Sequence, residues 1–542
     1  MWAIRPLSPV QRALHFVAQL GALLAEVVGF WYTRLVRLLT ERGPEAALLE
    51  RLHTADTYDA WLDAALELDR VQGNDVWRQN PQSSQYDYRL ISQRLDLLRA
   101  ARDAGDVVAL VTMLRSGLFR NLGNIASKQL FTHTGTKHLI EQYNAEVVAA
   151  LHYVLGQAEL TPQHKFDIVH DTRQSFGVST LVLQGGILFG LCHLGVVRVL
   201  YQHRLLPRII SGAGVGALIA TLVCVHKDSE LVAFLDGKGI DLEVFRGRAA
   251  GTPAQHAWRR LLRFLSKGYV LDMAVLEQCV RDNIDDLTFE EAYARTRRVL
   301  NIAVNSTERY VPTLFNYLTT PNVLIRTAAC ASNALPGLYE EVTIMCKDEF
   351  GHVVPWIPSG GALKWKSWAD AAAADRDAPY TRLSELFNVN HFIVSQARPY
   401  MTFMSSDLMN RSSTLNTRIV RVFLLEVHHR LAQLDYLNLL PRTLRRVLAL
   451  DDIRLLPSTS SSFGSSPVSS TSASDIVTVI PDVDALDFWK LLAESPTSSA
   501  DVEYWSRKGE RSMWFALPLV RERCSIEMLL DGIYDAMVRR TR

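Results

Sequence analysis

Two glycine turns within residues 179–226 carry the residues whose types and spacing could do chemistry. The first holds Gly185, Gly186 and Gly190 in QGGILFG, and the second holds Gly212, Gly214 and Gly216 in SGAGVG. Each turn follows a short apolar run, Thr180 to Leu183 and Arg208 to Ile210, and each precedes apolar residues at helical spacing. Turns of this kind at the carboxyl ends of strands are where open parallel sheets place ligands and reacting groups. A phosphate-cradling loop requires Lys-Ser/Thr directly after the second glycine; Leu191 and Cys192 follow Gly190 instead, which excludes it. A dinucleotide fingerprint is formally met by Gly212, Gly214 and Ala217, with Asp228, Glu230 and Asp236 as candidate ribose acids, but it gives the first turn no role. A third reading uses both turns. One supplies backbone N–H groups to an oxyanion, and the other is the G-x-S-x-G elbow that exposes a nucleophile between strand and helix. Here Gly212 and Gly216 are the flanks, and the centre is Gly214.

With these motifs in order along the chain, the sequence resembles the patatin-like phospholipases. It is most similar to the triacylglycerol lipases of fungi, plants and protists. The resemblance covers most of residues 50–450 and part of the C-terminal tail. It implies an oxyanion hole at Gly185, Gly186, Ile187 and Gly190, and an elbow from Gly212 to Gly216 with the nucleophile position at Gly214. It also implies a catalytic acid/base at Asp370, in KSWADAAAAD, where Ala371 replaces the family's Gly. The segment Thr320–Tyr339 resembles a family segment as well. No cofactor or metal is implied. The implied partners are an acyl lipid, triacylglycerol or phospholipid, and a lipid-droplet or endoplasmic reticulum membrane surface facing the cytosol. An active lipase relative is a further implied partner. The nucleophile serine is absent, so the expectation is a hydrolase-deficient, regulatory or scaffolding protein. The alternatives are an active hydrolase using Asp370-activated water or another nucleophile, and dinucleotide binding at Gly212–Ala217. Ser211, Thr221 and Cys224 lie nearest the elbow in sequence, but on the strand end or the following helix.

The elements that must position these residues point to an α/β fold. It comprises a patatin-like, parallel-sheet, three-layer domain flanked by an N-terminal helical domain and a helical C-terminal extension. Residues 1–44 are read as a lipid-associating segment. In residues 13–33 the polar residues His15, Gln19, Glu26 and Thr33 fall within about 40° of one another on a helix, leaving a wide apolar face. Such a helix lies on a membrane surface, spans it, or packs on the protein's own core. Residues 45–157 read as a helical domain, with Thr54 or Asp56 capping a helix that carries Tyr58, Leu62, Leu66 and Leu68. Residues 158–400 are the α/β domain, with further strands expected at Val299–Val304 and, last, at His391–Val394, and a helix at Asn322–Ala334. Residues 401–455 are a helical extension, 456–475 a Ser-rich disordered linker, and 476–542 a C-terminal region.

Composition narrows the remaining classes. The net charge of +1 gives no basic surface for nucleic acid, so no nucleic-acid partner is expected. The 6 cysteines form no C-x-x-C and no metal-spaced cluster with histidine, and are read as free thiols. No histidine is followed five residues later by Asp, which removes the His-x-x-x-x-Asp acyltransferase pattern. The adjacent His428 and His429 do not share a helix face.

Overall fold

The computed structural model describes residues 45–185, 190–235, 286–306, 311–333, 341–356, 363–364, 378–397, 476–481 and 499–541, with isolated positions elsewhere. Asp370, Gly186, Ile187, the amphipathic segment 13–33 apart from Gly29, the Ser-rich stretch 456–475 and His428–His429 lie outside the described residues. The chain is mixed α/β, with a helical region, then a largely parallel sheet, then a long C-terminal helix.

The helical region runs α1 (Glu45–Thr54), α2 (Tyr58–Val71), α3 (Asn74–Gln79), α4 (Tyr88–Asp103), α5 (Val107–Gly117), α6 (His138–Gly156) and α7 (Pro162–Phe176). Side-chain caps set several of the starts. Asp87 accepts from Leu90 N–H at 3.1 Å, Asp106 from Ala109 N–H at 2.9 Å, and Thr161 from His164 N–H at 3.2 Å with Pro162 in the first turn. The cap of α2 is Thr57, not Thr54 or Asp56. Thr54 is already used, since its hydroxyl donates to the Glu50 carbonyl at 2.9 Å and closes α1.

The α/β region continues with β1 (Val178–Gly185), α8 (Cys192–Gln202), β2 (Ile209–Ala213), α9 (Val215–Val225), α10 (Asp228–Leu235), α11 (Phe289–Thr296), β3 (Val299–Ala303), β4 (Leu314–Phe315) and α12 (Ile325–Ser332). Short strands β5 (Glu341–Val342), β6 (Met345–Lys347), β7 (Val353–Pro355) and β8 (Leu363–Lys364) follow, then α13 (Ala378–Phe387), β9 (Val389–Ala397), β10 (Ile476–Val479) and α14 (Ser499–Thr541). The main sheet has the order β10-β9-β1-β2-β3-β4. All its pairings are parallel except β3 with β4. Expected strand positions hold, but His391–Val394 is not the last strand. It lies inside β9, and β10 pairs beyond it from Ile476↔Phe392 to Val479↔Ser395. A four-residue run is too short for its period to register in sequence.

Both faces of the sheet are covered, so its strands are apolar on both sides. Leu181, Leu183, Ile210 and Ile302 pack with α8, α9 and α14 on one face. Val182, Ile209, Phe392 and Val394 pack with Leu383 of α13 on the other. Helices α1 and α2 join the first of these cores, where Trp61 meets Phe515 edge-on at 5.3 Å between ring centroids. Helices α4 to α7 form a separate core, into which α14 inserts Ile526 and Leu530. Before both of these positions α14 crosses α8 almost backbone to backbone. A Cβ on Gly195 would collide with the Ser506 carbonyl, and one on Gly509 with the Cys192 carbonyl. Arg198 and Glu510 pair across the crossing at 3.0 Å.

A buried ion pair ties the three regions at the amino end of β1. Arg120, between α5 and α6, meets Glu527 of α14 at 3.0 Å, with side-chain exposures of 6% and 2%. Arg120 also donates to the carbonyls of Gly177 and Arg523 and to Ser179 Oγ. Glu527 accepts from Ser179 N–H at 2.6 Å and from the Ser179 hydroxyl. Ser179 Oγ lies 3.0 Å from His391 Nδ1. A second buried histidine, His193 at the start of α8, has Nδ1 2.8 Å from Ser395 Oγ in β9. Burial drives the His391 pKa well below the ordinary range, reinforced by Arg120 and Arg523, and drives that of His193 down to about 4. Both rings are therefore neutral at neutral pH.

Removing one partner of the buried pair leaves an uncompensated charge. Glu527→Gln or Arg120→Met is expected to lower unfolding stability by about 3–5 kcal/mol, and the apolar double variant Arg120→Met/Glu527→Leu by less than either single change. Denaturant titration of the four proteins reads this, and additive losses would contradict it. The histidines act on pH dependence. A base whose folded pKa lies below its unfolded value of 6.5 binds fewer protons when folded, so its stabilising contribution is full above 6.5 and falls as pH drops through the window to the folded value. For His193 the window ends at about 4 and the loss is about 3 kcal/mol. His193→Gln should flatten the stability curve across that window; an unchanged slope would refute the assignment.

Candidate functional site

Strands β1, β2, β3 and β9 end at one edge of the sheet on Gly185, Ala213, Ala303 and Ala397, and both glycine turns rise from that edge. The residues at these four adjacent strand ends are all small. Gly214 follows β2 at φ +63° and ψ −134°, and α9 starts at the next residue. Positive φ is the conformation glycine adopts at least cost. The flanks of this bend are closed. A Cβ on Gly216 would collide with the Leu183 carbonyl, and one on Gly212 with the backbone of Ala217. The centre is open, since among the described residues no atom lies within 4 Å of where a Cβ on Gly214 would stand.

Both polar groups of Gly214's main chain are held by side chains from the end of α12. The Gly214 N–H donates to Ser332 Oγ at 3.0 Å, and Ser332 donates in turn to the Ala303 carbonyl at 2.7 Å. The Gly214 carbonyl accepts from Asn333 Nδ2 at 2.9 Å and from Ala217 N–H at 3.0 Å. The sequence reading assigned neither residue a role. They lie 118 and 119 positions from Gly214, and no local spacing marks them. The only available signal was that they belong to the Thr320–Tyr339 segment.

The first turn leaves β1 at Gly185, whose φ is +73°, and re-enters the described residues at the buried Gly190. The Gly190 carbonyl accepts from His193 N–H at 3.1 Å as α8 begins. Beneath the turn, the Gln184 side chain accepts from Gln396 Nε2 at 3.2 Å and donates to the Tyr380 hydroxyl of α13. The neutral ring of His193 lies against the Gly185 and Gln184 carbonyls. Gly185, Gly190, Gly212, Gly214 and Gly216 are thus all at the carboxyl edge of adjacent strands.

Among the described residues, the hydroxyls and thiol nearest the bend are buried, and that of Ser211 has no hydrogen-bond partner. Ser211 is buried in β2, between Val182 and Asn301 of the neighbouring strands. Thr221 is buried and donates to the Ala217 carbonyl at 2.8 Å. Cys224 is buried, and its thiol is pushed up to about 12, so the thiolate is scarce at neutral pH. The hydroxyl of Ser332 already donates to Ala303, and Ser179 and Ser395 are buried beside their histidines. Of the three candidate ribose acids of the dinucleotide reading, Asp236 lies outside the described residues. Asp228 and Glu230 lie on α10, beyond the end of α9 that is remote from the turn, and they pair with Arg298 and Arg295.

Comparison with known proteins identifies the family. Residues 38–174 match a family described as a domain of unknown function, DUF3336, and residues 181–376 match the patatin-like phospholipase family. Triacylglycerol lipase ptl1 of Schizosaccharomyces pombe is 33% identical over 522 residues, which is 95% of this chain and 90% of that protein. Triacylglycerol lipase ptl3 of the same organism is 29% identical, over 91% of this chain and 98% of its own length. Triacylglycerol lipase SDP1L of Arabidopsis thaliana is 32% identical, over 89% of this chain and 57% of its own. By that identity and coverage, with the DUF3336 match followed by the patatin-like match, this chain belongs to the patatin-like triacylglycerol lipase family.

Proposed function

We propose that this chain binds acyl lipid but has lost ester hydrolysis, and that it regulates or scaffolds an active lipase relative. The carrying observation is Gly214, which stands in a strand-to-helix bend with no described residue within 4 Å of its side-chain position and no oxygen or sulfur to form an acyl-enzyme. In this reading the amides of the Gly185–Gly190 turn face the ester carbonyl oxygen, and Asp370 keeps its carboxylate with no hydroxyl to deprotonate. Removing a nucleophile from such a site leaves only about 10³–10⁴-fold catalysis over water, from the oxyanion site and binding. The names of the relatives support triacylglycerol as the lipid, and the family description supports phospholipid. The one-sided polarity of residues 13–33 supports residence at a lipid-droplet or endoplasmic reticulum surface on the cytosolic side.

The test compares the purified chain with its Gly214→Ser variant on emulsified triacylglycerol and on phospholipid vesicles. The unmodified chain is expected to show no turnover and no covalent labelling by a fluorophosphonate. The variant should be labelled at residue 214 and gain esterase activity, because the side-chain face of that residue is open. Labelling of the unmodified chain within the α/β region would reveal another nucleophile. Turnover without labelling would mean direct attack by water. Either result would overturn the proposal.

A further inference from the structure

We infer that Ser332 and Asn333 are positioning residues. They set the peptide planes on both sides of residue 214 and so decide where any group at that bend points. The inference rests on the reading of the bend as the nucleophile position. Each side chain has one bond to the scaffold and one to residue 214. Ser332 donates to the Ala303 carbonyl at the end of β3, which directs its lone pair to the Gly214 N–H. Asn333 uses one amide hydrogen on the Ala329 carbonyl, in the last turn of its own helix, and the other on the Gly214 carbonyl. With the N–H and the C=O of one residue both fixed, the direction from its α-carbon toward the open face is fixed as well. Neither bond involves a side chain at 214, so the same hold applies whether that residue is glycine or serine.

The bonds are not needed to offset strain. Glycine reaches φ +63° at little cost, and without restraint it would also sample its many other allowed conformations. What the two side chains remove is that freedom. Helix α12 suits the task because Ala328, Ala329 and Ala331 are buried against the core, and its final residues reach the carboxyl edge of the sheet.

Two measurements test this. In the unmodified chain, single-amide hydrogen exchange should show the Gly214 N–H protected. Ser332→Ala should speed its exchange about tenfold or more, while amides of β1 and β2 keep their protection and Ser332→Thr retains it. In the Gly214→Ser background, Ser332→Ala and Asn333→Ala should each lower kcat and the rate of phosphonate labelling by about 10–100-fold with little change in KM, and Ser332→Thr should recover most of the loss. A purely structural role would lower melting temperature or active fraction without that split. Unchanged Gly214 exchange in Ser332→Ala, or unchanged kcat in both alanine variants, overturns the inference. If Ser332→Ala does not fold, the Asn333→Ala result decides alone. If Gly214→Ser is inert, the functional reading falls, and the exchange experiment still decides whether the bend is held as described.

Discussion

A carbonyl oxygen, that of Leu183, occupies the space a side chain on residue 216 would need. This contact sets the distance between the first turn of α9 and the end of β1 at a value only a hydrogen atom permits. The register agrees with it, pairing Leu183 with Gly212 and Gln184 with Ala213, so the two turns leave the sheet side by side. Any β-carbon at 216 would push α9 away and separate the turns. The site is thus a consequence of close packing before it is a matter of chemistry.

Within that frame the three glycines of the second turn play opposite parts. Gly212 and Gly216 are small because their surroundings are full. Gly214 is small although no described residue stands within 4 Å of where its Cβ would lie. Close contacts explain the flanks, whereas at the centre it is the positive φ, not crowding, that favours glycine. Backbone conformation alone does not demand glycine there, because an elbow of this kind tolerates a strained serine when neighbouring bonds over-determine it. The side chains of Ser332 and Asn333 supply such bonds.

The sequence made the two βα units legible because both signals are local. An apolar run, a glycine turn and a helical period sit within a few dozen residues, and β1, α8, β2 and α9 lie where the pattern puts them. What it concealed depends on distant partners. The bond from Asn333 to Gly214 spans 119 positions, and that from Arg120 to Glu527 spans 407. The short β10 follows low-complexity sequence and becomes a strand because β9 offers it an edge. The cap of α2 was displaced to Thr57 because Thr54 and Thr57 have similar intrinsic preferences. The Thr54 hydroxyl bonds back to the Glu50 carbonyl inside α1, which leaves Thr57 as the cap, and residue type alone does not choose between the two hydroxyls.

The segment that carries both turns is not self-sufficient. Strand β9, which flanks β1 along its whole length, lies after residue 376, and so do β10 and α14. The C-terminal helix meets α8 through Gly195 and Gly509 at the level of Cys192, two residues after the first turn ends at Gly190. Backbone held against backbone allows little rotation, so α14 fixes where that turn closes. Farther along, the same helix brings Glu527 to Arg120 and Ser179, Asp531 to Arg173 and Arg208, and Ile526 and Leu530 to the core of α4 to α7. One helix therefore spans from the rim of the site to the helical domain.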